Sequence, residues 1–255
     1  MTYSIIILIK CLYFYLNYKL YDYFNYSKDR LYYEIIQYVT YLGPFFVKIG
    51  QNAATKRGIP TELKNKLHTL KYNVFYNDCI NFYEIKSICK FHNISLDSNF
   101  PFAGGSICKV YSGLNKNDNQ KIVIKICHED IREKTSESIT TFRNLLSFLS
   151  NYTKYASYLI QGIRLDDFYK EVKDQCDLNL EADSLLKLKK SFSTQNISKF
   201  VRLPKLYYYE SDYLIESFEE GFEMDIFLKM YPKKTFETIA LIYNVYIKML
   251  LDFNI

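Results

Sequence analysis

The hydrophobic rhythm of the chain changes at Phe100-Pro101, and the lysine buried in the pattern that follows, Lys125, narrows the fold more than any other residue. Past this point Ile107-Cys108-Lys109-Val110-Tyr111 and Lys121 to Ile126 read as two arms of a β-hairpin. Turn chemistry between them comes from Asn115-Lys116-Asn117-Asp118-Asn119. The return arm is nearly continuous in β-branched residues, which marks a buried strand. An ammonium inside such a strand must meet a counter-charge or a phosphate to offset its desolvation.

Glu181 is the natural counter-charge. The helix predicted around it places Asp174, Asp177 and Glu181 at spacings of three and four, so these carboxylates share one face. Without the strand lysine the same face reads as a solvated acidic stripe.

Ahead of Phe100 the chain reads as helical. Ile35, Val39, Leu42, Phe46 and Ile49 step by four and three, and Gly43-Pro44 divides the run into two helices. Pro60-Thr61 opens another, and Asn77-Asp78 begins a fourth running towards His92. After the hairpin, helices are expected over 129–151 and 161–191 and strands over Leu206 to Tyr209 and Tyr213 to Phe218. Further helices are expected over 223–231 and 234–252. This gives an aromatic helical segment over 1–30, a helical extension over 31–99, a sheet-bearing lobe over 100–221 and the start of a second lobe over 222–255.

Composition narrows the function classes. A chain of 255 residues with 49% hydrophobic residues can bury a sizeable core. The net charge of +5 is spread along the sequence and gives no nucleic-acid footprint. Six cysteines without a Cys-x-x-Cys pair favour an intracellular reducing compartment, and three histidines make no zinc signature. The apolar start Ile5 to Ile9 is broken by Lys10 and falls short of the roughly 20 residues of a spanning helix. It reads as a packed helix, with an interfacial helix over 4–24 as the alternative.

Two further constellations stand out. Ala103-Gly104-Gly105-Ser106 precedes the hairpin; taken alone it is an ordinary turn, and beside a strand lysine it suits the approach of phosphates. Lys48 and Gln51, three apart, project from one side of a helix, with Gly50 permitting close backbone approach.

These motifs, together with Val123-Ile124-Lys125 and Glu181-Ala182, follow the order found in the UbiB family of atypical protein-kinase-like proteins, which the chain resembles from about Tyr41 to its C-terminus. The resemblance implies an α+β fold: a protein-kinase-like small lobe of antiparallel sheet plus helices, a helical N-terminal extension and an incomplete large lobe. It implies binding of ATP or ADP, with Mg as the accompanying ion. Lys125 would contact the phosphates while Glu181 holds it, Lys48 and Gln51 would face the nucleotide, and Glu216-Ser217-Phe218 would be the hinge strand offering backbone groups to adenine.

The chain departs from the family pattern in places. The family's loop is Ala-rich where this one carries Gly104 and Gly105, and its Glu-x-Asp is replaced by Gln175-Cys176-Asp177. The chain ends at Ile255, where the family enters its catalytic loop. His128-Glu129-Asp130 spells His-x-Asp at the wrong place, and Asp252-Phe253-Asn254 reads as a helix end, so Asp177 and Asp252 are only weak metal candidates.

The expectation is a truncated, pseudokinase-like protein that binds nucleotide without catalysing transfer alone. Its rivals are half of an active ATPase or small-molecule kinase completed by a downstream frame, and a non-nucleotide interaction module. The family's link to coenzyme Q and isoprenoid lipids implies a peripheral membrane setting.

Overall fold

The computed structural model describes residues 2–74, 82–151, 165–194 and 201–253. Four helices come first: α1 (Thr2–Tyr23), α2 (Asp29–Tyr41), α3 (Pro44–Ala53) and α4 (Thr61–His68), the last running into a 3₁₀ turn at Thr69–Lys71. Gly43, at φ +100°, makes the break between α2 and α3 that an L side chain would resist, and Pro44 opens α3 with its φ already set. Val47, Leu67, Leu70 and Val74 bury one another where α3, α4 and the following turn meet. On α1, Ile7 and Phe14 are buried while Ile9, Leu12, Leu16 and Leu20 stay exposed, so the helix is docked by one narrow stripe. Among the described residues no helix is long and apolar enough to cross a membrane.

Helix α5 (Phe82–Phe91) leads into the sheet; the expected helix start at Asn77-Asp78 lies outside the described residues. The strands are β1 (Ile94–Leu96), β2 (Ala103–Gly104), β3 (Cys108–Asn115), β4 (Gln120–Cys127), β5 (Leu206–Tyr209) and β6 (Tyr213–Ser217). They are antiparallel in the order β1-β3-β4-β6-β5, with β2 also on β3. The short strands β1 and β2 add to the hairpin expected from the sequence; three and two residues carry too little alternation to show a period.

The register decides what each face does. Tyr111, Ile122, Ile124, Ile126, Tyr213 and Ile215 alternate onto one face and bury Ile85 and Ile88 of α5 in the main core. The opposite face carries Cys108, Val110, Lys125, Cys127, Leu214 and Glu216, because Val110 pairs with Lys125 and Val123 with Glu216.

Among the described residues the hairpin is followed by helices α6 (Ile131–Ser150), α7 (Leu165–Asp174) and α8 (Leu178–Thr194). Leu178 and Ala182 of α8 pack on Leu214, which seats this helix over the Lys125 face. The single helix expected to carry Asp174, Asp177 and Glu181 is instead broken between α7 and α8. Asp177 leaves the helix to accept the Asn179 N–H at 3.0 Å, the geometry of an N-cap for α8. The final helices are α9 (Met224–Met230) and α10 (Thr235–Phe253).

Candidate functional site

A cleft of about 1000 Å³ opens between the polar face of the sheet, α3, α7 and α8. Lys125, Glu181, Lys48, Gln51, Ala103, Gly105, Ser106 and Asp177 all line it. The helix bearing Lys48 and Gln51 is therefore on the same side of the sheet as Lys125.

Lys125 is the centre of charge. Its Nζ lies 2.6 Å from Oε1 of Glu181 and 2.9 Å from Oε1 of Glu216. Desolvation pulls its pKa down, but the carboxylates of Glu181 and Glu216 more than offset that, and the ammonium is held above its ordinary value. Glu181 stands in the first turn of α8, where a negative charge also suits the helix dipole. Glu216 reaches Lys125 from the neighbouring strand. Its side chain enters this ion pair, a role beyond the backbone contact expected of a hinge residue. The strand pattern alone did not reveal it, because which face Glu216 takes depends on the β4–β6 register.

Phe218 is apart from the cleft. Its N–H donates to Lys121 O at 3.0 Å, and the Lys121 ammonium lies 4.3 Å from its ring centroid.

The glycine loop is tied down from both sides. Gly104 N–H donates to Tyr72 O at 2.7 Å, and Val74 N–H returns a bond to Gly104 O at 2.9 Å. Gly105 N–H donates to Cys108 O at 2.9 Å. In this conformation both glycine amides are spent on protein carbonyls and are not presented to a phosphate. His128, the residue of the misplaced His-x-Asp, is buried, and its Nε2 donates to Gly105 O at 2.9 Å. Its own N–H donates to Ile107 O at 2.9 Å. The residue directly after the lysine strand thus holds the loop in place, and its position behind Cys127 was the only sequence signal for that.

On α3, Gln51 Nε2 donates to Leu70 O at 2.8 Å, so its amide nitrogen is already engaged inside the extension. Gly50 turns away from the cleft: a Cβ there would meet Leu70 Cδ1 at 2.8 Å and Val39 Cγ1 at 3.3 Å. Its close approach is to the extension's own core. Lys48 lines the cleft and forms no ion pair with another described residue.

The carboxylates do not make a metal cage. Among the described residues no three His, Cys, Asp or Glu side chains come together closely enough to hold an ion. Asp177 is occupied as a cap, and the backbone at Asp252 belongs to the last turn of α10.

Comparison with known proteins bears on the family. A family model, the ABC1 atypical kinase-like domain, matches residues 90–255. The chain is 25% identical over 157 residues to the probable protein kinase UbiB of Aeromonas salmonicida, covering 60% of this chain and 29% of that protein. It is 27% identical over 187 residues to the UbiB protein of Tolumonas auensis, covering 69% and 32%. The chain therefore spans less than a third of the length of these relatives. A Mycobacterium tuberculosis protein solved in complex with erythromycin aligns at TM-score 0.45 and 16% identity, over 80% of this chain and 54% of that one. With a kinase-like small lobe in its antiparallel sheet and flanking helices, and the family match running through most of its length, the chain belongs to the UbiB family of ABC1 atypical kinase-like proteins.

Proposed function

We propose that the cleft binds an adenine nucleotide with its phosphates at Lys125, and that these 255 residues bind it without turning it over on their own. The observation that carries the reading is the Lys125 ammonium held between Glu181 and Glu216 on the floor of a cleft of nucleotide-accommodating size. Lys48 on the facing helix adds a second cation to the same space. The only His-x-Asp of the chain supports the second half of the proposal, since His128 is buried, bonded to Gly105 O and not among the residues lining the cleft. Phosphoryl transfer depends on groups that place the nucleophile and the metal-held phosphates. The coenzyme Q and membrane setting rests on the family resemblance alone.

Thermal shift of the purified chain with ADP and ATP, with and without Mg²⁺, tests this. Ligand at 100 times its dissociation constant should add roughly 2.7 kcal/mol of stability. Lys125→Ala should abolish the shift. No shift at saturating nucleotide would favour the interaction-module reading, and Mg²⁺-dependent hydrolysis lost in Lys125→Ala would overturn the absence of turnover.

A further inference from the structure

We propose that Cys108 and Cys127 form a reversible thiol–disulfide site, oxidised by a small-molecule disulfide such as oxidised glutathione, whose bonded state stiffens the glycine loop at the mouth of the cleft.

The two residues are directly opposite in the β3–β4 ladder, and their sulfurs already lie 3.7 Å apart. Cys127 N–H donates outward to Asp212 O, and Cys108 O accepts outward from Gly105 N–H. The pair therefore occupies a non-hydrogen-bonded site of the ladder, where Cα atoms approach to about 4.5 Å and side chains are closest. That spacing falls within the range of about 4.4–6.8 Å that a disulfide bridges without moving backbone.

Access differs for the two thiols. Cys108 lines the main cleft, and Cys127 lines a separate groove with His128, Glu129 and Asp212, which gives a small oxidant one approach to each residue. The Cys127 hydrogen bond, followed by burial, holds the Cys108 thiol well above its ordinary pKa, so exchange should quicken as pH rises. A thiolate of the pair attacks one sulfur of the small disulfide, forming a mixed disulfide and expelling one small thiol. The second cysteine then attacks the protein sulfur of that mixed disulfide and expels the other. Two protein thiols and one small disulfide become one protein disulfide and two small thiols, which carry away the protons.

The bond would matter because of what hangs on the two strand ends. Cys108 O accepts from Gly105, and Cys127 precedes His128, whose ring holds Gly105 O. Linking these residues joins both supports of the loop covalently.

The test uses the native full chain in a Cys11→Ser background, which removes the one thiol that is exposed among the described residues. After incubation with oxidised glutathione, intact mass should fall by two hydrogens and recover with dithiothreitol. Non-reducing digestion should link the Cys108 and Cys127 peptides. Cys176→Ser, which removes the neighbouring buried thiol, should keep the bond, and Cys108→Ser or Cys127→Ser should lose it. Should either serine variant fail to fold, the peptide map of the parent chain decides alone. Amide hydrogen exchange in the segment 103–108 should slow on oxidation. A bridge from Cys127 to Cys176, a stable glutathione adduct with no loss of hydrogens, or linkage only after unfolding would overturn the site. Unchanged loop exchange in the bridged protein would overturn the stiffening.

Discussion

Glu216 Oε1 lies 2.9 Å from Lys125 Nζ, reaching the lysine from the adjacent strand of the same sheet. The lysine is thereby clamped from two directions, by a carboxylate fixed in the sheet and by Glu181 on a helix that rests on it. The two partners differ in burial: the Glu216 side chain is 11% exposed and that of Glu181 is 48% exposed.

That difference predicts unequal costs. Glu216→Gln should destabilise the fold by about 1–3 kcal/mol, because a poorly hydrated charge loses its fixed partner. Glu181→Gln should cost less than about 1 kcal/mol, since water screens the exposed pair. Urea denaturation of both variants measures the ordering, and an equal or reversed cost would refute it.

Lys125 also predicts a response to pH. Its folded pKa is raised above the ordinary 10.5, so its ion pairs contribute fully below that value and are lost as pH rises through the higher folded one. The stability difference between the parent chain and Lys125→Met should therefore be flat through neutral pH and shrink only at the alkaline end. Denaturation midpoints of both proteins across pH 7 to 11.5 give this difference directly.

At Gly50 the outcome is steric. Alanine gains about 1 kcal/mol of helix propensity, yet its methyl would press on Leu70, which is 1% exposed and cannot swing clear. Overpacking of this kind costs typically about 1–3 kcal/mol. Gly50→Ala should lower stability on balance, whereas Gly105→Ala, whose nearest contacts are at 3.8 Å, should leave the melting temperature unchanged.

His128→Phe would keep a buried ring and remove the donor to Gly105 O. A carbonyl that loses its donor in a partly buried setting costs up to about 1–3 kcal/mol. Faster hydrogen exchange in the segment 103–108, with the β3–β4 ladder still protected, is the expected signature; equal acceleration throughout would indicate global loosening instead.

Much of this architecture was legible in the residues. The β-branched run to Ile126 gave the return strand to within a residue, because alternation is a local property, whereas the first arm runs on to Asn115, past the expected Tyr111 and into the asparagine-rich turn. Gly43-Pro44 and Pro60-Thr61 likewise marked real helix boundaries. The pairing of Lys125 with Glu181 could be reasoned from desolvation, since a lysine in such a strand leaves few solutions. What stayed hidden depended on register and long-range closure. The side chain of Glu216 turns inward only because Val123 is its cross-strand neighbour. The helix around Asp174 to Glu181 has unbroken charge periodicity, and its interruption comes from an aspartate satisfying an amide two residues on. His128 directly follows the end of β4, as its misplaced His-x-Asp reads, but that its ring anchors Gly105 O depends on a contact 23 residues back along the chain.

The backbone bonds joining Tyr72 and Val74 to Gly104 have a mechanical consequence. They couple the helical extension to the rim of the cleft, so the loop is not a free flap on an otherwise rigid sheet. To lift away from Lys125 it would have to drag the chain leading back to Leu70 and, through Gln51, the helix carrying Lys48. Opening and closing of this cleft would then be a movement of one jaw that takes Lys48 with it, and a ligand that seats against the loop would be felt in α3.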